Sequence, residues 1–321
     1  MLDRAGSMGE VADVAGRFLE QPLGHTLADI GDRRPDVVAL TADLGKYTDV
    51  YPFRDRHPDR FFNVGMAEQN LIAVAAGMAK AGLTPFTTTY AAFLTRRALD
   101  FIILACAHAH ADVKIFAGTP GLVNSYGATH QGTDDLSILR TVPDLTVIDP
   151  CDATEFVQVV RAVAETPGTF YVRQLRGKVP VVLDPSYRFQ IGKAALLRDG
   201  GDVGVVSTGF MTQRALVASE RAAGAGLSAA VLHVPTIKPF DAEAVVELAS
   251  GVDRLVVVEN HQTTGGLATL VVEAMFDAGI LKPVLRVGIG DRFHECGSHP
   301  YMEAKYGLDQ ARIDRAVRDG R

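Results

Sequence analysis

Short runs rich in apolar and β-branched residues recur along the chain, each followed by a stretch with helical spacing. This alternation leaves few folds open. In the first half, strands are expected at 37–44, 61–65, 84–90, 113–119, 145–150 and 169–174. Between them EQNLIAVAAGMAKAG, AAFLTRRALDFIILACAHA and DATEFVQVVRAVAE read as helices. In the first of these Leu71, Val74, Ala75, Met78 and Ala79 recur at i, i+3 and i+4, which predicts one buried face. Strands with few charges, separated by helices, predict a parallel sheet covered on both faces. The segment VVLDPSYRFQIGK (181–193) has no period and reads as a linker. The alternation then restarts with DVGVVSTG, a helix from Met211, LSAAVLHVP, a helix from Asp241, RLVVVEN, a helix from Gly266 and PVLRVGIG. The expected fold class is α/β, with two doubly wound domains at 1–185 and 194–321.

Composition narrows the function classes. With 47% apolar residues among 321, the chain has material for sizeable cores, which excludes a largely disordered protein. Lys and Arg number 32 against 38 Asp and Glu, a formal charge of −6, so nothing favours nucleic acid or an anionic membrane. Three cysteines without a C-x-x-C spacing cannot make a disulfide framework. No apolar run approaches the roughly 18 residues of a membrane span. The N-terminal MLDRAGSMGEVADVAGRFLE reads as an interrupted helical stretch and lacks the basic-then-apolar order of a signal peptide. A soluble, cytoplasmic protein is the expectation.

Familiar nucleotide signatures fail on context. Gly224-Ala-Gly226-Leu-Ser-Ala229 follows a helix and precedes a strand, the reverse of what phosphate binding needs. Gly288-Ile-Gly290 ends a strand, but no third glycine follows. His294, Cys296 and His299 are metal-ligand types in a loop-like stretch, and without a fourth ligand nearby they read as surface.

The stretch that carries chemistry is Asn63-Val-Gly65-Met-Ala-Glu68-Gln69-Asn70. Glu68 falls in the first turn of an apolar helix, directly after a strand. A carboxylate there is favoured by the helix dipole alone. Tyr90 and Phe93, spaced i, i+3, mark the next strand-to-helix junction, and Gly127-Ala-Thr129-His130-Gln131-Gly132 lies in the one after. An acid, an aromatic pair and a histidine in successive connections converge at one edge of a parallel sheet, where such folds bind ligands.

At these residues the sequence resembles transketolase and its relative deoxyxylulose-phosphate synthase. VGMAEQNLIAVAAGMAKAG, FTTTYAAFLTRRALD, YGATHQGTDDLSILRTVPDLTVIDPCDATE and FYVRQLRGK are similar to their pyrimidine-binding domain. PTIKPFD and VVVENHQTTGGL are similar to their C-terminal domain. The resemblance implies thiamine diphosphate as cofactor, with Mg2+, and transfer of a two-carbon ketol unit between sugars. It implies that Glu68 meets N1′ of the aminopyrimidine, that Tyr90 and Phe93 pack on that ring, and that Arg96 stands where transketolase often has a third aromatic. It also implies Asp43 near the cofactor across a subunit boundary, and His130, Arg173 and His25 as contacts to the substrate, Arg173 reading its phosphate or sulfonate.

There are departures from the family pattern. Gly118 stands where His or Asp is common, and Tyr47 where a serine is expected. The G-D-G motif that begins the family's metal–diphosphate site does not occur in this sequence, so no metal ligands are assigned to it. The expectation is the C-terminal subunit of a split transketolase, completed by an N-terminal subunit carrying the metal site in an α2β2 heterotetramer. The alternative is a β subunit of a 2-oxo acid dehydrogenase or a split deoxyxylulose-phosphate synthase-like enzyme.

Overall fold

The computed structural model describes residues 16–320. The N-terminal helical stretch lies, through residue 15, outside the described residues, and its last part is corrected. Phe18–Glu20 is a short strand paired antiparallel with Lys178–Pro180, whose backbone groups would otherwise form an open edge.

Seven strands form the first sheet, in the order Thr236–Lys238, Leu145–Ile148, Thr169–Gln174, Lys114–Gly118, Thr84–Tyr90, Val37–Thr41 and Phe61–Asn63. The six strands from the first half pair parallel. Val37–Thr41, Thr84–Tyr90, Lys114–Gly118 and Thr169–Gln174 are buried along their whole length, as a sheet covered on both faces requires. Leu23, Leu27 and Phe156 fill the apolar layer on one face; Ile72, Leu94 and Ile102 fill that on the other. The helix Glu68–Lys80 buries Leu71, Ile72, Ala75 and Ala76, while Val74, Met78 and Ala79 are half-buried at the margin.

The single helix expected after Tyr90 is three pieces: Ala91–Arg97, Leu99–Phe101 and a wider-wound turn at Ile102–His108. The break at Ala98 (φ −112°, ψ 9°) ends the first piece just after Arg96 and Arg97.

The second sheet runs Val284–Ile289, Arg254–Gln262, Val203–Ser207, Ala229–His233 and Ala195–Arg198, the last strand antiparallel at the edge. Helices Met211–Gly224, Ala242–Gly251 and Leu267–Asp277 follow its strands. One element crosses over: Thr236–Lys238, from the second half, pairs antiparallel with Leu145–Ile148 and closes an edge of the first sheet. Three residues between two prolines carry too little pattern to announce this strand.

Among the described residues no helix is long and apolar enough to cross a membrane.

Candidate active site

The parallel strands of the first sheet all point their C-terminal ends to one side, and the connections leaving them carry the site. The helix Glu68–Lys80 begins with Glu68, whose side chain is almost wholly buried. Its Oε1 accepts a hydrogen bond from Arg97 Nη1 at 2.8 Å. Tyr90 ends the next strand and Phe93 follows one helical turn later, which stacks the rings 5.8 Å apart at 26°. Leu44 packs against this pair. Arg97 lies four residues after Phe93, and i, i+4 spacing on a helix brings its Cζ 4.1 Å from the ring centroid.

His130 stands edge-on to the same aromatics, 5.1 Å from Phe93 and 6.4 Å from Tyr90, with Tyr126 tilted against its outer side at 5.4 Å. Its Nδ1 shares a hydrogen bond with the Thr129 hydroxyl at 2.8 Å, and Asn124 Nδ2 donates to its backbone carbonyl. Burial, then the nearby charge of Arg97, pushes the imidazole pKa down, which favours the neutral ring. The structure brings Tyr90, Phe93 and His130 into contact and joins Glu68 to them through Arg97.

Asp43 is exposed at the end of Val37–Thr41, with left-handed backbone (φ 60°). Asn63 links it to the Glu68 helix: the Asn63 Oδ1 accepts from Asp43 N and from Gly65 N, both at 3.0 Å, and its Nδ2 donates to Asp43 Oδ1 at 2.9 Å. His25 is exposed on the helix Pro22–Gly31, whose entry residue Gln21 donates from its backbone N to Gly177 O at 2.8 Å. Gly118 is packed close: a Cβ there would stand 3.0 Å from Thr48 and 3.4 Å from Tyr90.

Two expectations are corrected. Arg96 turns away from the aromatic pair and braces the histidine loop, donating to Ala128 O at 2.9 Å, Gln131 O at 3.1 Å and Asp134 Oδ1 at 3.2 Å. The cation on Phe93 is its neighbour Arg97, which the i, i+4 spacing could have revealed. Arg173 is buried and fully engaged: Nε and Nη2 hold the two oxygens of Asp135, and Nη1 donates to Asp149 Oδ2 and Asn260 O, each at 3.2 Å. Its guanidinium is thereby occupied by two carboxylates and a carbonyl of the second domain. The neighbouring half-buried Arg176 reaches the open side instead: its Nη1 lies 3.5 Å from Tyr47 O, and its charge acts on Asp49 and Tyr90.

The second domain holds the histidine loop from behind. Asn260, which the sequence did not single out, donates to Pro120 O at 3.1 Å and accepts from Leu122 N at 3.0 Å. Ala128 N donates to His294 O at 3.1 Å. His294, Cys296 and His299 do not converge: the His294 ring packs on Tyr306 at 4.4 Å, His299 pairs with Glu303 at 3.1 Å, and Cys296 is exposed. Among the described residues the convergent metal-type ligands are Cys151, Glu155 and His233. They sit at the domain junction, where Glu155 Oε2 accepts directly from Cys151 N at 2.7 Å and meets His233 Nε2 at 2.8 Å, so the carboxylate is already spent.

A buried carboxyl at a helix start, joined through Arg97 to a stacked aromatic pair, supplies a hydrogen-bonding group and a flat apolar surface of the kind a planar heterocycle uses. Two family models match this chain: the transketolase pyrimidine-binding domain over residues 19–181, and the transketolase C-terminal domain over residues 192–313. The chain belongs to the transketolase family. A transketolase family protein of Sinorhizobium fredii is 47% identical over 93% of this chain and 87% of its own length. The 6-deoxy-6-sulfo-D-fructose transketolase subunit of a Clostridium species is 38% identical, covering 94% of both chains. Among solved structures, a split-gene transketolase described as an inactive β4 tetramer superposes with a TM-score of 0.85 and 37% identity, covering 92% of this chain and 96% of that one.

Proposed function

We propose that this chain is the C-terminal subunit of a split, thiamine diphosphate-dependent transketolase. It moves a two-carbon ketol unit from a phosphorylated or sulfonated ketose to an aldose. The observation that carries this reading is that buried Glu68 is joined through Arg97 to the Tyr90–Phe93 pair, which His130 meets edge-on, at the carboxyl edge of the parallel sheet. The near-full-length likeness to a sulfofructose transketolase subunit supports it.

When bound, thiamine diphosphate supplies the electron sink for cleaving a carbon–carbon bond beside a carbonyl. Glu68 holds the aminopyrimidine at N1′ and shares its proton there, a task that needs a carboxyl at that atom. Tyr90 and Phe93 offer an apolar face that keeps water from the ring. His130, neutral beside the aromatics, receives a substrate hydroxyl. Asp43, exposed beside Asn63, faces the subunit boundary, and His25 and Arg176 flank the open side where the far end of the sugar enters. The diphosphate and Mg2+ are held by an N-terminal subunit that supplies the G-D-G ligands this chain lacks, in an α2β2 assembly.

The test is co-expression with a thiamine-binding N-terminal subunit encoded beside it, followed by a screen of ketose donors against aldehyde acceptors. Ketol transfer from an anionic ketose, absent from the isolated chain, is the expected result. Product formation only from pyruvate and an aldehyde phosphate would replace this reading with a synthase of the deoxyxylulose-phosphate type.

A further inference from the structure

Arg97 contacts both Glu68 and Phe93, and none of the functional assignments above uses it. Its Nη1 donates to Glu68 Oε1 at 2.8 Å, and the same guanidinium lies 4.1 Å over the Phe93 ring. A guanidinium is flat, carries N–H donors along its edge and stacks on aromatic faces. An aminopyrimidine is likewise flat and stacks on an aromatic face, and its N1′ would meet the carboxyl through a shared proton.

We propose that Arg97 gates the cofactor seat, because its guanidinium and the aminopyrimidine compete for the same carboxylate and the same face of Phe93. The inference rests on the assignment of Glu68 and Phe93 to the aminopyrimidine. Phe93 is flanked by Tyr90 and met edge-on by His130, so the face Arg97 covers is the one that leads to Glu68. A ring stacked there and the guanidinium would fill the same volume.

The two partners differ in freedom. The Glu68 side chain is 3% exposed and cannot follow, whereas that of Arg97 is 48% exposed and can swing into solvent. A buried carboxylate stripped of its donor is costly. The exchange is therefore a swap that takes up one proton from solvent: as Arg97 leaves, that proton bridges Glu68 and N1′ of the incoming ring, and the carboxylate is not left bare. Arg97 keeps Glu68 partnered while the ring is away, and lowers the net affinity for the cofactor by the strength of the contacts it must surrender. An ion pair open to solvent on one side together with a cation–π contact is worth a factor of roughly 5 to 30 in affinity.

Calorimetric titration of the two-subunit complex with thiamine diphosphate at saturating Mg2+, wild type against Arg97→Met, decides the matter. Tighter binding by roughly 5- to 30-fold, with faster association in stopped flow, is expected for Arg97→Met. Arg97→Lys, which keeps the charge but loses the flat fork, should bind with an intermediate gain, and it serves if Arg97→Met does not assemble. Equal or weaker binding by a folded, assembled variant overturns the gate and makes Arg97 a fixed support of Glu68, while leaving the site assignment intact. A wild-type complex that takes up no thiamine diphosphate overturns the site assignment, and the gate with it.

Discussion

Arg173 and Asp135 form a two-pronged ion pair from which solvent is excluded, both side chains lying at most 2% exposed. Tyr171 donates its hydroxyl to the same Asp135 oxygen that takes Arg173 Nε, at 2.7 Å and 2.9 Å. A second carboxylate, Asp149, shares the guanidinium, and burial pushes its pKa up to about 6 against the pull of Arg173. The cluster binds the end of a first-sheet strand to the histidine loop and, through Asn260 O, to the second domain. Removing one partner of such a buried pair costs about 3–5 kcal/mol, because the other charge is left without compensation. Arg173→Met should therefore lower the unfolding free energy by about that amount in urea titration. In the fraction that still folds, kcat/KM should fall equally for charged and neutral donors. A selective loss for anionic donors would return Arg173 to the substrate.

With the Arg173 guanidinium occupied within the fold, we propose Arg176 as the contact for the substrate anion. It is half-buried beyond the end of Thr169–Gln174, beside Tyr47 and Asp49. A charge-assisted contact to a phosphate or sulfonate is worth about 1.5–3 kcal/mol. Arg176→Ala should raise KM for an anionic ketose by about 10- to 100-fold and change little for its neutral analogue. Kinetics on the matched donor pair provide the check.

Glu68→Gln keeps the shape of the side chain but cannot exchange a proton with N1′. Turnover by the assembled enzyme should drop at least about 10²-fold while the melting temperature stays near that of the parent. Turnover at the parental rate would reduce Glu68 to a helix-start carboxylate.

How far the sequence could be read depended on how local the signal was. The six parallel strands of the first sheet were legible because each is a short apolar run bounded by helices. Glu68, Tyr90 and Phe93 could be placed from the sequence because each lies at or within a few residues of a strand end, whereas His130 lies well into the loop after Lys114–Gly118. Arg173 has the right place in sequence, but whether its guanidinium faces the crevice or the core depends on Asp135 and Asp149, contributed by two other connections. Thr236–Lys238 joins a sheet built from the other half of the chain, and no local pattern records that pairing. Arg96 and Arg97 are adjacent and chemically alike, and it is Arg97, at i, i+4 from Phe93, that lies on the ring, while Arg96 turns to the histidine loop.

The last expectation concerns two buried groups under the histidine loop. His261 Nε2 accepts from Ser137 N at 3.2 Å, so its Nδ1 carries the proton and donates to Gln262 O at 2.7 Å. Burial, then the charge of Arg173, pushes its pKa down to about 4. Glu259, whose Oε2 lies 3.7 Å from His261 Nδ1, accepts from Leu267 N and Ala268 N at the start of a helix. Burial outweighs those bonds and pushes its pKa up to about 7. The signs oppose each other. A depressed histidine contributes stability above its unfolded value of about 6.5, and this is lost as the pH falls toward 4. A raised carboxyl contributes stability below its unfolded value of 4.5, and this is lost as the pH rises through about 7. Between roughly pH 4.5 and 6.5 the unfolded chain holds one proton on the histidine, the folded chain holds one on the glutamate, and the two slopes cancel. Glu259→Gln should uncover the histidine, so that stability falls on acidification relative to wild type, by at most about 1.4 kcal/mol per pH unit. His261→Asn should uncover the glutamate and gain stability over the same interval. Urea unfolding of the three proteins at pH 4.5, 5.5 and 6.5 gives the differences directly, with Asp149 common to all. Parallel profiles would mean that neither group changes its protonation on folding.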